Sequence, residues 1–128
     1  MPLVRIALRA GKPPAYLAAV GESIHQAMME TINVPAGDRF QIFTEHQPGT
    51  LVIDPAYLGI ERSEEAILVQ ITISAGRTLE LRKALFARIA ERLAKSPGLR
   101  KEDVFVNLIE VAKENWSFGN GIAQYAEK

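Results

Sequence analysis

The chain has 128 residues, 48% of them apolar and 23% charged, as is typical of one soluble globular domain with its own core. Its fifteen basic residues balance fifteen acidic ones, which argues against a nucleic-acid partner because phosphate binding needs a basic surface. No apolar run approaches the roughly 18 residues of a membrane span, the first residues lack a signal-peptide pattern, and cysteine is absent. We therefore expect a single cytoplasmic domain over residues 1–128, away from any membrane and without disulfides or thiolate chemistry.

The first half of the chain predicts a strand, a helix and a second strand. Residues 3–8 are rich in β-forming side chains and predict a short strand. Pro13 and Pro14 suit the first turn of a helix, and apolar residues then recur at helical spacing over roughly 14–32. Val34-Pro35-Ala36-Gly37 ends that helix, and residues 39–46 alternate as a strand does before the turn at Pro48-Gly49.

The second half predicts the same order of elements after an irregular stretch over residues 51–65. Residues 66–73 form a near-continuous apolar run, typical of a central buried strand. Thr78 can cap a helix over roughly 78–95, which Ser96-Pro97-Gly98 stops. Residues 104–111 predict a last strand, and residues 113–128 form a polar and aromatic tail.

The two halves repeat each other. Asp38-Arg39-Phe40 and Asp103-Val104-Phe105 lie 65 positions apart, as do Leu3-Val4 and Leu68-Val69. The expected fold class is therefore α/β (α+β): two β-α-β repeats, approximately residues 2–48 and 66–112, in a four-stranded mixed sheet with two helices on one face. The other face keeps apolar side chains that no remaining segment can cover, so we expect an oligomer.

Most residue types that carry chemistry are absent or isolated in this chain. His25 lies within a predicted helix and is expected to be a surface or packing residue, whereas His46 ends a strand and is expected to stabilise the turn beside it. Two distant histidines without an acidic cluster do not have metal-ligand spacing. Gly119-Asn120-Gly121 is too short for a phosphate loop and opens no helix. The sequence therefore predicts no metal site.

Pro2 is the exception. A small residue after Met1 favours removal of the methionine, which leaves a proline with a free ring nitrogen. The reference pKa of an α-amine is about 7.7–8; burial lowers this pKa and a nearby carboxylate raises it, so such an amine can act as general acid or general base. Because parallel strands of one β-α-β unit begin at the same end of the sheet, Asp38 is predicted near Pro2. The plainer interpretations are a chance Met-Pro start and an Asp38 that only caps its loop.

Three more side chains are candidates for a binding site. Arg77 follows the central strand and has the donors to bind a substrate carboxylate, although a lone arginine there is more often a solvated charge at a helix start. Trp116 and Phe118 can wall a pocket, although aromatic residues near a C-terminus usually pack.

Together these features resemble the tautomerase superfamily, and within it the malonate semialdehyde decarboxylase group. The resemblance spans nearly the whole chain, and its most specific parts are the tryptophan motif and the surroundings of Asp38. The matching pieces are Pro2-Leu3, Val34-Pro35-x-x-Asp38-Arg39, Gln41, Thr44-x-His46-x-Pro48-Gly49, Leu58-Gly59, Arg62-Ser63 and Trp116-Ser117-Phe118-Gly119-x-Gly121-x-Ala123-Gln124.

The resemblance implies a tautomerase/MIF-like fold, a homotrimer, and no cofactor or metal. It implies that Pro2 is the catalytic amine, that Asp38 is the catalytic aspartate, and that Trp116 and Phe118 line the pocket. The decarboxylase carries two arginines, separated by one residue, after its central strand. Arg77 matches the second of them, and Ala75 stands where the first would be.

That departure bears on the activity. Two guanidinium groups can hold a carboxylate and polarise a neighbouring carbonyl at once, whereas one can do only part of this. Arg62 and Arg39 are the residues expected to compensate, and Arg62 is accordingly a candidate for substrate binding.

Three functions remain open at this point. The first is decarboxylation or hydration of a small 3-oxo acid, in which protonated Pro2 interacts with the C3 carbonyl oxygen, Arg77 binds the carboxylate and Asp38 positions water. The second is a keto-enol tautomerase of phenylpyruvate-type substrates with unprotonated Pro2 as base, which the raising effect of Asp38 on the amine pKa argues against. The third is a non-catalytic trimeric binding module, which a retained Met1 would favour.

Overall fold

A computed structural model describes residues 2–126. Met1, whose removal the sequence predicts, and residues 127–128 at the end of the predicted tail lie outside the described residues. The elements are β1 (Leu3–Arg9), α1 (Pro14–Ile32), β2 (Gln41–His46), β3 (Ile67–Ser74), α2 (Leu79–Lys95) and β4 (Val104–Val111). Short 3-10 turns lie at Tyr57–Gly59, Lys101–Asp103 and Lys113–Asn115. The predicted order is confirmed, with element ends shifted by at most two residues.

Local chemistry explains where the two helices begin and end. Pro14 opens α1, where a missing N–H costs nothing, and Asn33 closes it in the left-handed conformation with φ 56°. The Thr78 hydroxyl accepts a hydrogen bond from the Leu81 N–H at 3.2 Å and caps α2. Within residues 2–126, no helix combines the length and the apolar character needed to cross a bilayer.

The four strands form one mixed sheet in the order β2-β1-β3-β4. Strands β1 and β2 are parallel, β3 and β4 are parallel, and the central pair β1 and β3 is antiparallel, with Leu3 opposite Thr72. One end of the sheet therefore collects the starts of β1 and β2 together with the ends of β3 and β4. The expected fold class of two β-α-β repeats is confirmed.

The core lies between one face of the sheet and the two helices. It is built by alternate strand residues and by the apolar stripes of both helices, each buried side chain contributing about 1.5–3 kcal/mol. Its largest members, all at most 2% exposed, include Val4, Ile6, Leu8, Ile67, Ile71, Ile73, Val20, Ile24, Met28, Leu85, Ile89 and Leu93. On β2 the core side carries Gln41 and Phe43, and Gln41 donates a hydrogen bond to the Gly21 carbonyl on α1 at 2.8 Å.

The opposite face of the sheet, here called the open face, has no helix over it. Its apolar members include Ile42, Phe105 and Ile109, which are 38%, 49% and 40% exposed. Polar residues such as Arg5 and Gln70 lie among them on neighbouring strands. A monomer would leave this mixed but substantially apolar surface in water.

Candidate active site

Pro2 lies at the end of the sheet where β1 and β2 begin. It is buried and directly precedes β1. The backbone N–H of Val4 donates to the Phe40 carbonyl at 3.0 Å, which holds the start of β1 against the segment that enters β2. On the other side, Leu3 is opposite Thr72 near the end of β3. Pro2 is thus held on rigid backbone on both sides.

An apolar cleft of about 260 Å³ opens at Pro2 and is walled by Phe40, Trp116, Ser117 and Phe118. The rings of Trp116 and Phe118 stack with centroids 5.5 Å apart and planes inclined by 21°. Stacked aromatic rings make a stiff, dry wall. The structure therefore brings together Pro2 and the two aromatic residues singled out from the sequence.

The tail that carries this wall is fastened to the sheet and to itself. The indole N–H of Trp116 donates to the hydroxyl of Ser74, a buried residue at the end of β3, at 3.1 Å. Gln124 accepts from the Phe118 N–H and donates to the Gly119 carbonyl, both at 2.9 Å. The turn between them needs positive φ at three consecutive residues, Gly119–Gly121, which explains two of the glycines in the tryptophan motif.

Asp38 lies at the same end of the sheet. Val4 pairs with Gln41. Asp38, three residues before Gln41, therefore lies at the end of the sheet where β1 begins. The loop that presents Asp38 is held by its own N–H, which donates to the Pro35 carbonyl at 3.0 Å, and by buried His25, whose Nε2 donates to the Ala36 carbonyl at 2.9 Å. Of the two roles that the sequence leaves open for His25, surface or packing, the structure shows packing, and His25 also holds the loop that carries Asp38.

The carboxyl group of Asp38 is half-buried. Burial raises its pKa above the ordinary value of 3.8, and the positive charges of the chain's amino terminus and of His25 lower the pKa by a smaller amount. Desolvation disfavours a charged carboxylate, and nearby cations restore part of that loss. A carboxyl in this setting can exchange a proton or hold an amine in its charged form.

Arg77 lines a second, neighbouring cavity of about 560 Å³. Its guanidinium group donates to the Ser74 carbonyl at 2.9 Å. Ser74 thus joins the two cavities, because its hydroxyl accepts from Trp116 and its carbonyl accepts from Arg77. Arg77 lies beside the Pro2 cleft and is not among the residues that line the cleft itself.

Arg62 lies elsewhere. Its guanidinium group donates to the carbonyls of Asp54, Tyr57 and Ile60 at 3.1–3.3 Å, and it lines a cavity beside Phe105. Phe105 is at the start of β4, the end of the sheet away from Pro2. Within one chain the structure does not bring Arg62 together with Pro2.

Arg39, the other residue expected to replace the missing arginine, pairs with Glu22 on α1 at 2.6 Å. It is absent from the lining of both cavities. Within one chain, neither Arg39 nor Arg62 therefore supplies a second cation beside Arg77.

Sequence reasoning missed several residues of this site. Phe40 lines the cleft, and its place two positions after Asp38 on an alternating strand was the available signal. Ser74 and the Tyr125 ring, which meets Phe118 edge-on at 4.9 Å, had no local signal. His46 has the predicted turn role, with its Nδ1 at 3.3 Å from the Thr50 hydroxyl. Over residues 2–126 no three His, Asp or Glu side chains converge as metal ligands.

Comparison with known sequences agrees with this geometry. A family model described as tautomerase enzyme matches residues 38–119, and a second model of the same description matches residues 2–60. The chain is 44% identical to probable tautomerase YusQ of Bacillus subtilis strain 168 over 127 residues, 99% of this chain and 100% of that protein.

Solved structures also resemble the chain over most of its length. A malonate semialdehyde decarboxylase inhibited by 3-bromopropiolate has a TM-score of 0.90 and 39% identity, over 96% of this chain and 93% of that chain. A second malonate semialdehyde decarboxylase, studied for decarboxylase and hydratase activities, has a TM-score of 0.91 and 30% identity, over 96% and 95%. A wild-type fused 4-OT that is a symmetric trimer has a TM-score of 0.78 and 25% identity, over 98% of this chain and 99% of that chain.

The first family model covers more than half of the chain, and the YusQ match runs over nearly all of it. The solved relatives share the whole two-repeat sheet and not a fragment of it. On these grounds, the chain belongs to the tautomerase family of enzymes.

Proposed function

We propose that this protein is an amino-terminal-proline enzyme acting on a small oxo acid, most directly a decarboxylase or hydratase of the malonate semialdehyde type with Pro2 as general acid. The observation that carries the proposal is the position of Pro2: buried at the start of β1, in an aromatic cleft, at the sheet end that also holds Asp38. An amine and a carboxyl placed together at a dry cleft can share and direct a proton.

The proposed chemistry begins with loss of Met1, which turns the Pro2 nitrogen into a secondary amine. The Asp38 carboxylate raises the pKa of that amine and keeps it protonated at neutral pH. The ammonium donates a hydrogen bond to the C3 carbonyl oxygen of a 3-oxo acid, while Arg77 binds the carboxylate. As the bond to carbon dioxide breaks, its electron pair passes into an enolate whose oxygen the cation stabilises. In the hydratase reaction Asp38 positions the water that adds to the carbonyl.

The similarity to the two malonate semialdehyde decarboxylases supports this reading. One of them was studied with the proline at its first position replaced by alanine. Pro2 is the equivalent first residue of this chain once Met1 is removed, and the shared fold extends over 96% of the chain.

A keto-enol tautomerase is the second candidate, and the 44% identity to a probable tautomerase favours it. That reaction needs Pro2 as an unprotonated base, which moves a proton between carbon and oxygen of a phenylpyruvate-type substrate. Burial of the amine in the apolar cleft favours the neutral form, and the charge of Asp38 opposes it.

We also propose that the protein assembles as a homotrimer through the open face of the sheet. The exposed apolar residues of that face support this assembly, because a monomer would leave them in water. The fused 4-OT that shares the fold is a symmetric trimer.

The deciding experiment is an NMR pH titration of protein labelled with 15N-proline, following the Pro2 nitrogen, with Met1 removal checked by mass spectrometry. A pKa well above about 8 supports Pro2 as general acid. A pKa near about 6 rejects that role and supports the tautomerase. An amide signal that does not titrate, with Met1 retained, rejects both enzymes in favour of a binding module. A Pro2→Ala variant that keeps full activity would also reject both.

A further inference from the structure

The cavity beside the Pro2 cleft has an unusual charge balance. Its lining contains two cationic side chains, Arg77 and Lys113, with polar groups from Asn33, Ser74 and Tyr125. No Asp or Glu lines it. It lies between the last turn of α1 and the first turn of α2, so the two helix dipoles oppose each other there. Among the described residues of the lining, Arg77 and Lys113 are therefore the only ones whose side chains carry a full charge.

Neither cation has a carboxylate partner among residues 2–126. The hydrogen bond that Arg77 makes goes to the neutral carbonyl of Ser74. Other cations of the chain, such as Lys12 and Arg88, have acidic partners. Two cations that share a concave site without a counterion repel each other, and an anionic ligand removes that repulsion.

The fold explains why Lys113 reaches this cavity. At the end of the sheet Ser74 is opposite Val111, and the N–H of Ala75 donates to the Val111 carbonyl at 2.8 Å. The turn that starts at Lys113 is therefore anchored beside Ala75. Ala75 itself lines the cavity and has a side chain of one carbon, so space remains there for a longer side chain from the tail.

We propose that Lys113 and Arg77 together form the carboxylate-binding site of this enzyme, with Lys113 as the specificity-determining cation opposite Arg77. The inference rests on the proposed action on an oxo acid. Lys113 stands in for the charge that Ala75 lacks, and it comes from a different segment of the chain than the predicted substitutes Arg62 and Arg39. The carboxylate lies at Arg77 and Lys113, in the cavity that Ser74 connects to the wall of the Pro2 cleft through its hydrogen bonds with Arg77 and Trp116.

A lysine in this role recognises charge more than shape. Its ammonium is a mobile point charge, whereas an arginine pair fixes a carboxylate by planar, bidentate contacts. The site is therefore expected to accept small acids of differing length. A neutral ester of the same acid should lose most of its affinity, and binding of the acid should weaken with ionic strength.

The test compares Lys113→Ala and Lys113→Gln with Lys101→Ala as the matched control. Lys101 is also an exposed lysine at the first residue of a 3-10 turn, but it precedes β4 at the opposite end of the sheet. Two readouts are used: turnover of malonate semialdehyde, and binding of malonate by calorimetry, which needs no catalysis. Lys113→Ala and Lys113→Gln should raise KM and the malonate Kd about tenfold, with a smaller change in kcat, because a charged hydrogen bond is lost. Lys101→Ala should have the KM, kcat and malonate Kd of the wild type.

A rescue variant separates lost charge from lost structure. Ala75→Arg combined with Lys113→Ala restores a second cation from the other side of the cavity and should recover most of the malonate affinity. No recovery, or equal Kd values for Lys113→Ala, Lys101→Ala and wild type, would overturn the inference. Absence of malonate binding to the wild type would overturn it too. Malonate binding that depends on Lys113 in a protein that turns over no oxo acid would reject the proposed function and leave the anion site in place.

Discussion

Asp38 and Asp103 occupy matching positions 65 residues apart, just before β2 and β4, yet their carboxyl groups have different surroundings. Asp103 is 1% exposed and accepts hydrogen bonds from the N–H and the hydroxyl of Ser63 at 2.7 and 2.6 Å. Asp38 is half-buried at the opposite end of the sheet, because β1 and β3 are antiparallel. Asp38 therefore lies at the end of the sheet where β1 begins, the same end as Pro2.

Asp38→Asn should lower kcat/KM by about 10²- to 10⁴-fold, because it removes a proton-directing carboxylate. It should also lower the pKa of Pro2. The variant is tested by steady-state kinetics and by the Pro2 titration. A variant with wild-type kinetics and an unchanged Pro2 pKa would contradict the role given to Asp38.

The same substitution has an expected effect on stability. Because burial raises the pKa of Asp38 above 3.8, the folded state binds the proton more tightly than the unfolded state does. The stabilising contribution is then fully present below pH 3.8 and is lost as the pH rises through the raised pKa. At pH 7 Asp38→Asn should therefore be at least as stable as the wild type. Urea unfolding at pH 7 tests this, and a clear loss of stability would show that ionised Asp38 stabilises the fold.

Asp103→Ala should cost about 2–4 kcal/mol of unfolding free energy, because it leaves a buried N–H and a hydroxyl without an acceptor. Activity per folded molecule should change little, since Asp103 lies at the sheet end away from Pro2. The adjacent exposed residue gives a control, Glu102→Ala, which should remain within about 0.5 kcal/mol of the wild type. Urea denaturation measures the stability of both variants, and kinetics on the folded fraction measures their activity. If Asp103→Ala is as stable as the wild type, the hydrogen bonds of Asp103 do not stabilise the fold.

Trp116→Phe should keep the aromatic wall but remove the hydrogen bond to the Ser74 hydroxyl. We expect a loss of about 0.5–1.5 kcal/mol in stability and a rise in KM, because Ser74 also holds Arg77. Ser74→Ala completes a double-mutant cycle. The effects of the two substitutions on stability and on KM should be clearly non-additive. Additive effects would mean that the 3.1 Å hydrogen bond does not couple Trp116 to Ser74.

Phe105→Lys should break the proposed trimer, because it places a charge on the open face that assembly would have to bury. Sedimentation velocity should show a fall from trimer towards monomer mass at micromolar concentration. Phe86→Lys is the control, because Phe86 is 39% exposed and lies on α2, on the helix side of the sheet. The assembly formed by this variant should have the same mass as that of the wild type. Equal masses for both variants would argue against assembly through this face.

The sequence alone was sufficient for the elements and for part of the site. Helical spacing and a proline start placed α1 at 14–32, where the structure has it, because periodicity and capping act within a few residues. The repeat of two β-α-β units then predicted a four-stranded mixed sheet with both helices on one face. The resemblance to a known family grouped Pro2, Trp116 and Phe118 as one site, and the structure places all three around one cleft.

Only the tertiary structure decided which charges meet. The sequence makes Arg62 a candidate substrate ligand, and within one chain its guanidinium group donates to carbonyl groups of its own loop. Lys113 and Ser74 had no signal in their own segments, and they join Arg77 because the end of β3 pairs with the end of β4. Local patterns determine a strand or a helix, whereas the composition of a cavity depends on register and loop path between segments distant along the chain.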